Sequence, residues 1–150
     1  MEPYMSKITA AEQVQVAKQR AGITWAAIAE HLGVDKEWST AALLGSHPLS
    51  EDQAKAVQEL LHLEDAAAEA LERQPYRRAL AEDVTSDPTI YRFHEALMVY
   101  GPAMKELIHE EFGDGIMSAI NFSLSVDRRT DPEGDRVVVT FDGKFLDYKW

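Results

Sequence analysis

The sequence predicts an α+β protein in two parts, a helical first half and a shorter second unit in which helices give way to strands. Three observations predict it. Apolar residues recur at i, i+3, i+4 and i+7 through the first half, between helix-capping signals. From Ile116 the apolar period changes to alternation. Asp142–Gly143, between two apolar runs, reads as a hairpin turn.

The elements follow in order. Thr9 and Glu12 of "TAAE" have capping-box spacing, so a first helix is expected to start there, run to Arg20 and end at Gly22. "ITWAAIAEHLG" places Trp25, Ile28, Ala29 and Leu32 on one face of a second helix, which Gly33 stops. "DKEWSTAALLG" is a third, with Asp35 as its cap and Gly45 past its end. "SEDQAKAVQELLHL" repeats the capping box at Ser50 and Gln53 and buries Ala54, Val57, Leu60 and Leu61. Four short helices with these joints resemble a repressor-type helix-turn-helix bundle. A DNA-reading helix needs Lys or Arg for phosphates and Arg, Asn or Gln for base edges. Residues 35–44 offer one lysine beside Asp35 and Glu37. Nucleic acid is therefore not an expected partner, and the bundle reads as structural. His31, His47 and His62 lack metal-ligand spacing and read as surface or core residues.

From Glu64 to Asp83 the chain is alanine-rich and charged, and reads as a solvated connector helix interrupted at Pro75. The expected domains are residues 1–83 and 84–150. Arg73, Arg77 and Arg78, set among glutamates, read as surface ion pairs worth little each.

The second unit opens at Asp87, placed to cap a helix, with Pro88 at the first helical position, where its missing N–H costs nothing. Ile90, Phe93, Leu97 and Met98 follow at helical spacing and are expected to be buried. Arg92 and Glu95, three apart, share a different face. They are either an ordinary surface pair or an arginine held so that its planar donors face an anion, and the local sequence admits both. A further helix, "AMKELIHEEF", is expected to stop at Gly113. Then Ile116, Ser118, Ile120, Phe122, Leu124 and Val126 share one strand face, on which Ser118 is the odd member. A hydroxyl there either donates to a ligand or relieves crowding. "RVVVTF" and "KFLDYKW" are expected as second and third strands flanking the Asp142–Gly143 turn.

Composition excludes several classes. No run approaches the roughly 18 apolar residues of a membrane span, and "MEPYMSKITAAEQ" lacks a signal-peptide pattern, so no membrane partner and a cytoplasmic location are expected. The chain has no cysteine, hence no thiolate nucleophile or zinc–sulfur site. A net charge of -11 opposes non-specific attraction to polyanions, so an anionic substrate needs a local positive group. A unit of about 67 residues buries only about 60% of its unfolded surface, which predicts that its strands complete their core against another subunit.

The sequence resembles the cyanase family, also called cyanate hydratase or cyanate lyase. "DPTIYRFHEALMVYG" and "FGDGIMSAINF" carry the likeness, supported by "DPEGDRVVVTFDGKFL". The resemblance implies a repressor-like helical bundle before a small catalytic domain whose strands interlace in a dimer. It implies bicarbonate-dependent decomposition of cyanate to carbamate and carbon dioxide, the carbamate then giving ammonia and carbon dioxide. Bicarbonate is the co-substrate, and no metal or organic cofactor is implied. Family catalytic residues fall on Arg92, Glu95 and Ser118. The family assembles as a decamer of five dimers with sites at subunit interfaces. Asn121 and Asp114 are further polar candidates outside that set. A DNA-binding regulator and a non-catalytic oligomerisation module are the rival classes.

Overall fold

The structure, a computed structural model, describes residues 4–75 and 82–149. Seven helices precede a two-stranded antiparallel hairpin among the described residues. The chain divides into compact units of residues 1–77 and 78–150, each considered by itself below.

The first unit is a five-helix bundle: α1 (Lys7–Ala21), α2 (Trp25–Leu32), α3 (Lys36–Leu43), α4 (Glu51–Leu61) and α5 (Asp65–Glu72). Local chemistry sets most boundaries. The Thr24 hydroxyl accepts from the Ala27 N–H, and Ser50 with Gln53 forms the expected reciprocal capping box. Gly22 and Gly33 end α1 and α2 in left-handed conformations. The first cap differs from expectation: the Ser6 hydroxyl accepts from the Thr9 N–H, so the N-cap is Ser6, three residues before Thr9. Asp35 occupies the N-cap of α3 but makes no side-chain capping bond.

The core gathers Val14, Ile28, Leu43, Val57 and Leu71 around alanines of α1, α4 and α5, whose small side chains let the helices approach closely. The expected solvated connector is corrected here. Ala67, Ala70 and Leu71 of α5 are fully buried, and α5 packs on both α1 and α4. The Lys7 ammonium ties the two ends of this arrangement together. Its Nζ donates to the Leu71 carbonyl at 3.0 Å and the His47 carbonyl at 3.4 Å. Arg73 donates to the Met5 carbonyl and lies 4.2 Å above the Tyr4 ring, a cation–π contact instead of the expected glutamate pairing. Arg77 and Arg78 lie outside the described residues.

The second unit holds α6 (Glu82–Ser86), α7 (Pro88–Phe112), β1 (Gly115–Arg129) and β2 (Arg136–Asp147). Asp87 caps α7 as expected, accepting from the N–H groups of Thr89 and Ile90, with Pro88 following it. The two expected helices are one of 25 residues that runs through Gly101 and Pro102. Leu97, Gly101, Met104 and Ile108 fall at i, i+4, i+7 and i+11 and line one recess with Ile116 and Met117, so continuing the helix keeps that face whole.

The three expected strands are two. The hairpin turns at Asp131–Gly134, where the Gly134 N–H donates to the Asp131 carbonyl and the Asp131 carboxylate accepts from the Glu133 N–H. Asp142 and Gly143 lie inside β2, opposite Ser123 and Phe122. Regular pairing breaks between Met117 and Phe122, so Ser118 to Asn121 form a bulge opposite Lys144. In this unit only Gly115 and Ser118 are buried among the described residues, and α7 buries none, contrary to the expectation for Ile90, Phe93, Leu97 and Met98.

Candidate functional site

The Arg92–Glu95 pair forms one turn into α7, where three-residue spacing sets the two side chains side by side. The Arg92 Nη1 donates to the Glu95 Oε2 at 2.6 Å. Both side chains face solvent, 70% and 49% exposed, so the remaining guanidinium donors are open to a ligand. The carboxylate engages one Nη of the fork and leaves the arginine's other donors free to meet a small anion.

Ser118 is the buried polar residue of the hairpin, 6% exposed. Its Oγ accepts from the backbone N–H of Ile120 at 3.1 Å and of Asn121 at 2.9 Å, which holds the bulge in shape. A hydroxyl that accepts twice still has one proton to donate. The bulge also breaks the expected common face. Ile120, two residues on, is 97% exposed while Ser118 is buried.

Two glycines make the site's backbone possible. A β-carbon at Gly143 would overlap the Ser118 carbonyl and the Met117 side chain. A β-carbon at Gly115 would overlap the Leu146 carbonyl and the Phe145 ring, beside the Phe112–Phe145 stack at 5.1 Å. The sequence signal for Gly143 was its place between two apolar runs, which suits a close backbone approach as well as a turn.

The structure brings Arg92 and Glu95 together. Among the described residues, no hydrogen bond or ion pair joins either of them to Ser118. Asn121 contributes its backbone N–H to the bulge and lines a recess of about 440 Å³ with Ser123, Asp142 and Lys144. Lys144, unremarked in the sequence pattern, places a cation at that recess, directly opposite the bulge. Asp114 lines a separate recess of about 370 Å³ under α7, and its carbonyl accepts from the Tyr148 N–H. Among the described residues, no group of three or more histidine or carboxylate side chains is placed to hold a metal. No helix among them is long and apolar enough to cross a membrane.

A helical bundle followed by one long helix and a bulged hairpin defines a two-unit α+β protein, with its candidate chemistry in the second unit. The chain belongs to the cyanate lyase family: residues 82–150 match the cyanate lyase C-terminal domain and residues 7–75 the cyanate hydratase N-terminal domain. It is 51% identical to a cyanate hydratase of Mycolicibacterium vanbaalenii, over 97% of this chain and 95% of that one. It is 50% identical to one of Dechloromonas aromatica, over 97% and 99%. The crystal structure of cyanase from T. urticae superposes with a TM-score of 0.81 at 37% identity, covering 92% of this chain and 96% of that one.

Proposed function

We propose that this protein is a cyanate hydratase, a lyase that decomposes cyanate with bicarbonate as co-substrate. The reading rests on one observation above others. The family-matched second unit carries an ion-paired arginine with free donors, the group that a reaction between two anions requires. In balance, NCO⁻ with HCO₃⁻ and a proton gives carbamate and carbon dioxide, and carbamate with a further proton gives ammonia and carbon dioxide.

Arg92 supplies fixed positive charge, since a guanidinium stays protonated, and its plane can contact both anions as they meet. Glu95 orients it. Ser118 donates its remaining proton to the negative charge that gathers on the adduct. Arg92 and Glu95 supply charge and orientation without a resident metal or organic cofactor.

Cyanate has three heavy atoms, and a ceiling of about 1.5 kcal/mol per atom limits its binding to roughly 4 to 5 kcal/mol, or about millimolar to a few hundred micromolar. Catalysis therefore depends on positioning in an assembled pocket, and the same reading makes the active form a homodecamer of five dimers with interlaced strands and sites between subunits. What supports assembly is the apolar surface left open on one chain: Val99, Tyr100, Leu107 and Val137 are all exposed. The reading also takes the protein as cytoplasmic.

The test is ammonia release from cyanate in carbon-dioxide-depleted buffer, with and without added bicarbonate, before and after dialysis against a chelator. Bicarbonate-dependent release that survives chelation is expected. An intact oligomer that releases no ammonia in either condition overturns the assignment.

A further inference from the structure

We infer that Lys7 is the residue at which cyanate modifies this chain covalently, converting the side-chain amine to a carbamoyl-lysine. The inference takes its reagent from the proposed function, but the chemistry needs no turnover.

The geometry comes first. Lys7 Nζ sits between the carbonyls of Leu71 and His47, at 3.0 and 3.4 Å. A neutral amine has two N–H donors and one lone pair, so two carbonyl acceptors can hold it with the lone pair free. Next is charge. Arg73 follows Leu71 by two residues and donates to the carbonyl of Met5, two residues before Lys7, so the two cations are neighbours. Neither has a carboxylate partner among the described residues. In a chain of net charge -11, an uncompensated pair of cations is where a small anion gathers. Last is reactivity. Burial, and then the Arg73 charge, lower the Lys7 pKa from 10.5, which raises the share of unprotonated amine, the nucleophilic form.

The step is an addition. The gathered cyanate anion takes the ammonium proton from Nζ and becomes isocyanic acid, the freed Nζ lone pair bonds to its carbon while a second proton passes from Nζ to the cyanate nitrogen, and nothing leaves. Counted from the ions, a lysine ammonium and NCO⁻ give the neutral side chain R–NH–CO–NH₂. Lys7 thereby loses its charge where it bonds the last turn of α5, which removes the penalty of holding a partly buried cation beside Arg73.

The experiment treats the full chain with isotope-labelled cyanate in bicarbonate-depleted buffer, stops at low total modification, and reads each lysine by peptide mass spectrometry. Lys7 is expected to be labelled several-fold more than the exposed Lys55 and Lys144, because the unprotonated fraction rises about tenfold per unit of lowered pKa. Labelling of Lys7 at or below the level of Lys55 overturns the inference. Arg73→Gln is expected to reduce the Lys7 excess, and an unchanged excess overturns the role given to Arg73. If that variant does not fold, added salt decides the same point in the natural sequence, since screening diminishes an anion's attraction to the pair. Ammonia release is measured on a parallel sample with bicarbonate. Release without a Lys7 excess removes this inference alone, and a Lys7 excess without release removes the proposed function instead.

Discussion

Gly143 of β2 stands so close to Ser118 of β1 that any β-carbon on residue 143 would overlap the serine's backbone carbonyl. The bulge at Ser118 therefore depends on a glycine across the ladder. Gly143→Ala forces backbone movement as well as displacement of the Met117 side chain, at an expected cost of about 1–3 kcal/mol. Ammonia release is expected to fall too, because the hydroxyl moves with the bulge. Unaltered urea midpoint and turnover in the alanine variant would show that the close approach is not constraining.

Ser118→Ala separates two roles of one oxygen. Removing the Oγ leaves the N–H groups of Ile120 and Asn121 without their acceptor, a cost of about 1–3 kcal/mol for each one that water cannot reach. Turnover is expected to fall well beyond what that instability explains, with assembly retained in gel filtration. Normal kinetics at the same oligomeric state would leave Ser118 with the bulge alone.

What the sequence revealed, and what it hid, follows from how local each signal was. The Ser50–Gln53 capping box and the Arg92–Glu95 pair depend on residues three apart, and both formed as read. Two competing caps, Ser6 and Thr9, also stand three apart, and Ser6 wins in a first turn that the Lys7 bonds to Leu71 and His47 hold down. Gly101–Pro102 lies between the two expected helices, but the spacing of Leu97, Met104 and Ile108 carries one helix across it. Asp142–Gly143 looked like a turn because the alternative, a glycine admitting another strand's backbone, depends on a partner far along the chain. The exposure of α7 in one chain was not legible, because residue-level apolarity predicts burial without saying against what.

Leu107→Glu tests that exposed surface. Leu107 is 65% exposed on α7, in a unit where only Gly115 and Ser118 are buried among the described residues. A carboxylate there should cost little within one chain but oppose burial between chains. Sedimentation is expected to show smaller species, with ammonia release lost in parallel. A variant that sediments and turns over like the natural sequence would mean α7 is not covered by another copy at this position.

Lys7 gives a pH dependence of defined sign. Its folded pKa lies below 10.5, so between that lowered value and 10.5 the unfolded chain binds more protons than the folded one. Stability contributed by this group therefore rises with pH through that window, and its penalty is fully present below it. Comparison with Lys7→Met isolates the effect: the difference in urea midpoints should move in favour of the natural sequence as pH rises towards 10.5. A difference that is flat or moves the other way contradicts the desolvated placement of the amine.

Arg92→Lys asks whether charge alone serves the reaction. The substitution keeps a cation on α7 and can keep a contact to Glu95, now 2.6 Å from the guanidinium. It removes the planar fork. A lysine ammonium is a compact point charge, whereas the guanidinium presents paired donors in one plane while the Glu95 carboxylate occupies another part of it. If the reaction needs only an electrostatic sink for two anions, the lysine variant should retain much of its rate. If it needs cyanate carbon and bicarbonate oxygen held in one orientation, loss of the fork should lower turnover by about 100-fold or more, since misplacement of about an ångström has that effect. We expect the second result, with assembly intact by sedimentation, and with bicarbonate dependence retained in the residual activity because the lysine still attracts both anions. Turnover near that of the natural sequence would reduce Arg92 to a source of charge and move the orienting role to Ser118 and the backbone of its bulge.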